Sequence, residues 1–120
     1  LICPSNPLIS IGPILAVPGI REALQRTTAT ILAISPVVGG ASLKGPTDRM
    51  LRDLGREVSA SEVARLYQDL LDLYLLDEQD RDEVARVAAL GIEARTGETV
   101  MKTDAEKAAL ARTVLDWLAE

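Results

Sequence analysis

Two kinds of apolar pattern alternate along the chain. Residues 30–35 (Thr-Ile-Leu-Ala-Ile-Ser) form a short β-branched and aliphatic run, which predicts a buried parallel strand. Residues 73–76 predict the next strand, and residues 92–96 a short edge strand. Leu1-Ile2 reads as the tail of a strand already under way. Between these runs the apolar positions recur at helical spacing. Met50, Leu51 and Leu54 make one face of a helix that Gly45-Pro46 opens and Gly55 ends. Val63, Leu66, Tyr67, Leu70 and Leu71 make a second stripe behind capping-box spacing from Ser59 to Glu62. Residues 80–90 predict a helix with Val84, Val87 and Ala88 inward. A second capping box, Thr103 to Glu106, starts a last helix with Leu110, Val114, Trp117 and Leu118 on one side.

This alternation predicts the α/β class: a Rossmann-like, mostly parallel sheet flanked by helices. Ligands of such sheets sit beyond the C-terminal ends of the strands. Three loops fall there: the opening loop, residues 36–44 and residues 77–80. The chain has no initiator Met and starts on a strand tail. It is therefore expected to be a fragment of a longer protein.

The opening loop is rich in Pro, Ser and Asn and runs into Ile-Gly-Pro-Ile-Leu, where Pro13 suits a first helical turn. A strand that delivers small polar residues onto a helix start is a common phosphate cradle. Ser5, Asn6 and Ser10 are the candidate donors. The competing reading is an Asx or Ser turn that only caps a helix. Gly39-Gly40 permits close backbone approach, and Lys44 sits just before a helix start. Together they suit a phosphate or carboxylate, or they form a plain connection. The acidic run of residues 77–83 places carboxylates in a first helical turn, where the dipole stabilises each by about 0.3–1 kcal/mol. Only Asp77, at the strand end, suits a metal ligand. Cys3 is expected as a small buried hydrophobe, and Trp117 as a core or interface anchor.

Composition narrows the chemistry. Histidine is absent and Cys3 is the single cysteine, so no His-dependent triad, Cys-His pair or thiolate metal site can be built from this chain. The net charge of −5 argues against a nucleic-acid partner. No apolar run reaches the roughly 18 residues of a membrane span. One cysteine and no signal-peptide pattern suit the cytoplasm. Positioning and charge stabilisation remain, as in phosphoryl-type transfers.

Residues 3–15, Cys-Pro-Ser-Asn-Pro-Leu-Ile-Ser-Ile-Gly-Pro-Ile-Leu, closely resemble a motif of the 2-phospho-L-lactate transferase (CofD-type) family. Residues 35–40, 43–50, 59–67 and 76–80 resemble the same family, in order. The resemblance implies transfer of a phospholactyl or phosphoenolpyruvyl group from a GDP-activated donor to the hydroxyl of the deazaflavin Fo. GMP is released, magnesium is required, and the product leads to coenzyme F-420. By position, Ser5, Asn6, Ser10, Ile11 and Gly12 would lie against the donor's phosphates or the acceptor. Gly39, Gly40 and Lys44 would line the same cleft. The family's Gly-rich N-terminal nucleotide motif and metal-binding Asp pair have no counterpart here, so the resemblance implies that this chain is the C-terminal part of a larger three-layer domain, with the magnesium ligands expected outside it and the segment alone expected to be inactive. The resemblance is consistent with a homodimer. The alternative is a YvcK-like sugar-nucleotide-binding regulator of the related fold, against which Pro4-Ser5-Asn6-Pro7 favours the transferase. A third reading is a domain kept for subunit contacts through Trp117 and the last helix.

Overall fold

The computed structural model describes residues 1–120. Its centre is a parallel sheet of β1 (Leu32–Ile34), β4 (Leu73–Asp77) and β5 (Glu93–Gly97), in the order β1-β4-β5. Leu32 pairs with Leu73, and Leu73 with Glu93. Ile2 bridges Ala33 in parallel on the free edge of β1. The expected strand tail at Leu1-Ile2 is therefore part of the sheet.

Every residue of β4 is buried, because both of its edges are paired and both of its faces are covered. Successive side chains point to opposite faces of a strand. Leu73 and Leu75 join Leu32 and Ile34 under α6 (Asp104–Leu118), packing on Leu110, Val114 and Trp117. Tyr74, Leu76 and Ala33 enter the larger core on the other face, with Leu51, Val63, Ala64 and Val87. Helices α3 (Thr47–Asp53), α4 (Ala60–Leu66) and α5 (Val84–Ala88) supply that side. Burying Leu110 and Val114 stabilises by about 1.5–3 kcal/mol each. Trp117 is a core residue, only 6% exposed, with the Arg95 guanidinium 4.7 Å above its ring. The interface role weighed for it loses its anchor.

Both predicted caps form, but unequally. Thr103 and Glu106 satisfy each other's backbone amides in a full capping box. Ser59 accepts from the Glu62 amide, whereas the Glu62 carboxylate turns to Arg56 and Arg65.

Four expectations change. The first helix starts at Asn6, not at Pro13: Pro7–Ile11 is a π-helical turn that runs into α1 (Gly12–Leu15). Asn6 Oδ1 accepts from the Leu8 and Ile9 amides at 2.8 and 3.1 Å, which settles the cap. Pro13 has no N–H to donate to the fourth residue back, and the preceding bonds widen by one, Ile11 to Asn6 and Gly12 to Pro7. Residues 37–42, read as a loop, form the antiparallel ribbon of β2 (Val37–Val38) and β3 (Ala41–Ser42). Gly39 and Gly40 make its turn at φ of 59° and 76°, as a type I′ turn demands. The helix expected over residues 80–90 is a kinked 3-10 segment, Glu78–Glu83, followed by the short α5. Helix α2 (Ile20–Arg26) was not singled out because it buries no residue fully. Cys3 is exposed, not buried.

The exit of β4 is locked by Asp77, which is 4% exposed. Its Oδ2 accepts from the Thr99 amide at 3.0 Å and hydroxyl at 2.8 Å, and its Oδ1 from the Gln79 amide at 3.0 Å. Burial opposes its charge, but the Gln79 and Thr99 donors outweigh burial and hold it below the usual carboxylate range.

Two predictions rest on this packing. A Cβ on Gly12 would stand 2.9 Å from the Pro7 carbonyl oxygen. Gly12→Ala is expected to destabilise by about 1–3 kcal/mol in urea unfolding, the usual range for overpacking. A Gly12→Ala midpoint equal to wild type refutes the close approach. The lowered pKa of Asp77 means that its stabilisation is complete above the unfolded value, about 3.9, and is lost as pH falls through the folded value. Asp77→Asn is therefore expected to be less stable than wild type at pH 7, with the gap closing below about pH 4. An equal gap at both pH values rejects the ionised anchor.

Candidate functional site

A cleft of about 420 Å³ opens beyond the C-terminal ends of the strands. Each of its walls is a segment that leaves a strand or follows the ribbon. Pro4, Ser5 and Asn6 follow the Ile2 bridge, and Ser35 and Pro36 follow β1. Leu43, Lys44 and Thr47 come from the ribbon exit and the start of α3. Thr99, Val100, Met101 and Lys102 come from the segment between β5 and α6. This is where a parallel sheet presents ligands, because the strand twist separates the loops there.

Of the sequence candidates, Ser5, Asn6 and Lys44 meet in this cleft. Ser10 is on an exposed face of the π turn, and Ile11 and Gly12 continue its helix away from the cleft lining. Gly39 and Gly40 form the ribbon's tip and do not line the cleft. The Leu8 and Ile9 amides at the helix start are occupied by the Asn6 cap. The Gly39 amide is also taken, since it donates to both oxygens of Asp80 at 2.9 and 3.2 Å. Ser5 keeps an uncommitted hydroxyl, and Lys44 is exposed and unpaired. Lys102, which sequence reasoning missed, adds a second cation. Its signal was its place just before the Thr103 capping box, where Glu106 Oε2 accepts its amide at 2.6 Å and fixes the backbone.

No carboxylate lines this cleft, although the chain carries 18 acids against 13 bases. A neighbouring cleft of about 450 Å³ shares Val100 and Lys102 but is lined by Asp77, Glu78, Glu98 and Glu106. Its field repels anions, so the acid-free cleft is the one suited to a phosphate. Leu43, Val100 and Met101 give it an apolar flank.

The carboxylates near the site point elsewhere. Asp77 is occupied by Thr99 and Gln79, and Asp80 by Gly39. Burial, then nearby Glu83, Asp77 and Asp82, hold the Asp80 carboxyl above its ordinary range despite the Gly39 amide. No group of three acidic or thiol side chains converges to hold a metal ion. The residues of this chain do not fit a magnesium cage, and their chemistry at the cleft is binding and charge neutralisation.

Comparison with known proteins agrees with this architecture. A model of the family "2-phospho-L-lactate transferase CofD" matches residues 1–116. The chain is 40% identical to a 2-phospho-L-lactate transferase of Methanosarcina acetivorans, over 96% of this chain and 37% of the relative. It is 47% identical to a phosphoenolpyruvate transferase of Kitasatospora aureofaciens, over 93% of this chain and 35% of the relative. A phosphoenolpyruvate transferase of Mycobacterium leprae is 41% identical over 77% of this chain and 29% of the relative. The chain thus spans about a third of the length of the curated relatives it matches. With the family model covering nearly every residue, and the strand-exit cleft where such folds bind ligands, the chain belongs to the 2-phospho-L-lactate transferase CofD family.

Proposed function

We propose that this chain supplies one wall of the substrate cleft of a transferase in coenzyme F-420 biosynthesis. The reaction moves a phospholactyl or phosphoenolpyruvyl group from a GDP-activated donor to the hydroxyl of deazaflavin Fo. The acceptor oxygen bonds to the phosphorus that carries the lactyl or enolpyruvyl group. The bond from that phosphorus to the bridging oxygen of GMP breaks, the leaving phosphate takes the electron pair, and the acceptor hydroxyl's proton passes to solvent water. Negative charge builds on the leaving phosphate, and fixed cations aimed at it lower the barrier. Lys44 and Lys102 fill that role, with Ser5 as a hydroxyl donor. Leu43, Val100 and Met101 offer the flat acceptor ring apolar contact where this chain has no aromatic side chain to stack on it. The observation that carries the reading is the acid-free cleft with two lysines in a chain of net charge −5.

Titration calorimetry of the full-length protein with GDP tests it. Lys44→Ala and Lys102→Ala are each expected to weaken GDP binding about tenfold, or about 1.4 kcal/mol. Arg112→Ala, an exposed cation away from the cleft, serves as the charge control and keeps wild-type affinity. Equal affinity in all three variants removes the lysines from the site. A wild type that takes a UDP-sugar but not GDP favours the regulator instead.

In steady-state transfer assays, Ser5→Ala is expected to lower kcat more than Ser10→Ala does, by roughly tenfold for a lost donor to developing charge. The reverse order returns the site to the middle of the π turn.

A further inference from the structure

Three carboxylates spaced three residues apart leave the end of β4: Asp77, Asp80 and Glu83. In sequence they resemble a solvated helix start or a metal cluster. In the structure each holds the backbone amide of a different segment. Asp77 takes Thr99 at 3.0 Å, Asp80 takes Gly39 at 2.9 Å, and Glu83 takes Ser61 in the first turn of α4 at 2.8 Å. Asp77 is the extended N-cap of this segment and Asp80 its kink, with φ of −106° and ψ of 23°, so the backbone leaves the regular helix where these carboxylates make their bonds.

One of the three amides, Thr99, lines the cleft, and a second, Gly39, stands outside it on the ribbon that leads into the Leu43-Lys44 wall. Gly39 is at the tip of the β2–β3 ribbon. The ribbon pairs Val37 with Ser42, and Ser42 Oγ donates to the Gly45 carbonyl and contacts Asp48 at 2.8 and 2.9 Å. Lys44 lies inside that bonded loop. Thr99 begins the opposite wall, and its far end is held where Glu106 accepts the Lys102 and Thr103 amides. Each lysine therefore stands on a segment fixed at one side by a β4-exit carboxylate, Asp80 for Lys44 and Asp77 for Lys102, and at the other by its own local bonds. Asp77 and Asp80 are 4% and 3% exposed, so these bonds are shielded from competing water.

We infer that Asp77 and Asp80 are positioning residues that tether the two opposing walls of the cleft to the end of one strand and so set the placement of Lys44 against Lys102. The inference rests on the transferase reading for its substrate, but the tethering itself is independent of it. The two residues differ in one respect. Asp80 holds a single N–H, that of Gly39, shared between its oxygens at 2.9 and 3.2 Å, so an Asn whose amide oxygen takes the shorter bond can replace it. Asp77 uses both oxygens, so Asn would present an NH2 to a donor.

Amide hydrogen exchange at single-residue resolution, on the full-length protein, tests the tethers. In the wild type the Gly39 amide, although it lies in an exposed turn, is expected to be protected at least about tenfold. Asp80→Leu fills the space without an acceptor and is expected to speed Gly39 exchange about tenfold while leaving Thr99 unchanged. Asp80→Asn restores protection. Asp77→Asn has the opposite selectivity, with Thr99 loosened and Gly39 unchanged. In transfer assays Asp80→Leu and Asp77→Asn are expected to raise KM for the donor about fivefold with kcat within about twofold, and Asp80→Asn to match wild type. An unprotected wild-type Gly39 amide overturns the tether without any variant having to fold. So does loosening of both walls together by either substitution. Local loosening with an unchanged KM overturns the positioning role. A wild type that binds no GDP overturns the transferase reading alone, since the exchange results still decide the tethers.

Discussion

The structure depends on the complete burial of one strand. β4 is paired on both edges and covered on both faces, so its side chains must serve two cores at once. Leu73 and Leu75 satisfy the layer under α6, while Tyr74 and Leu76 satisfy the helix-rich side. Such a strand has no room for polar work along its length. Tyr74 marks the limit, because burial pushes its hydroxyl far above the usual phenol range, with only the Ser35 side chain beside it to oppose that shift. Polar function is therefore displaced to the strand's exit, where Asp77 is the first side chain that can reach main-chain donors. The position of the cleft follows from the same constraint.

Much of the fold was legible because burial writes itself into local patterns. The aliphatic runs at residues 30–35 and 73–76 are strands, and the stripe through Leu110, Val114 and Trp117 is the buried face of α6. What was not legible turned on competition between two adequate local signals. Pro7 and Pro13 both suit a helix start, and the decision came from Asn6, whose side chain reaches two amides. Gly39-Gly40 reads equally as a slack loop or as a tight turn, and Asp80, distant in sequence, favours the turn. Helix α2 has too little buried surface to leave a strong stripe.

The site was less legible than the fold for a related reason. Ser5, Asn6 and Lys44, which follow strands in the sequence, line the cleft, but Lys102 belongs to a connection whose path is set by Asp77 and Glu106 rather than by its own sequence. The glycines and the middle of the π turn looked like phosphate-binding backbone. Their geometry is explained instead by close packing, with Gly12 against the Pro7 carbonyl and Gly39 against Gln79 and Asp80.

The acidic run shows why residue type alone misleads about metals. A carboxylate can bind a cation only with lone pairs that no protein donor already holds. Asp77 and Asp80 give theirs to buried main-chain amides, and the cleft beside them is left to lysines. The electrostatic consequence is a division of labour between two neighbouring clefts, one acidic and one free of acids. Fixed charges stabilise a developing anion only if they need not reorganise as it forms. Two exposed lysines on slack loops would fail that condition. On walls held by buried carboxylates, capped turns and a paired ribbon, their backbones start in place, and under the proposed transferase reading only the side chains would remain to be ordered by the donor's phosphates.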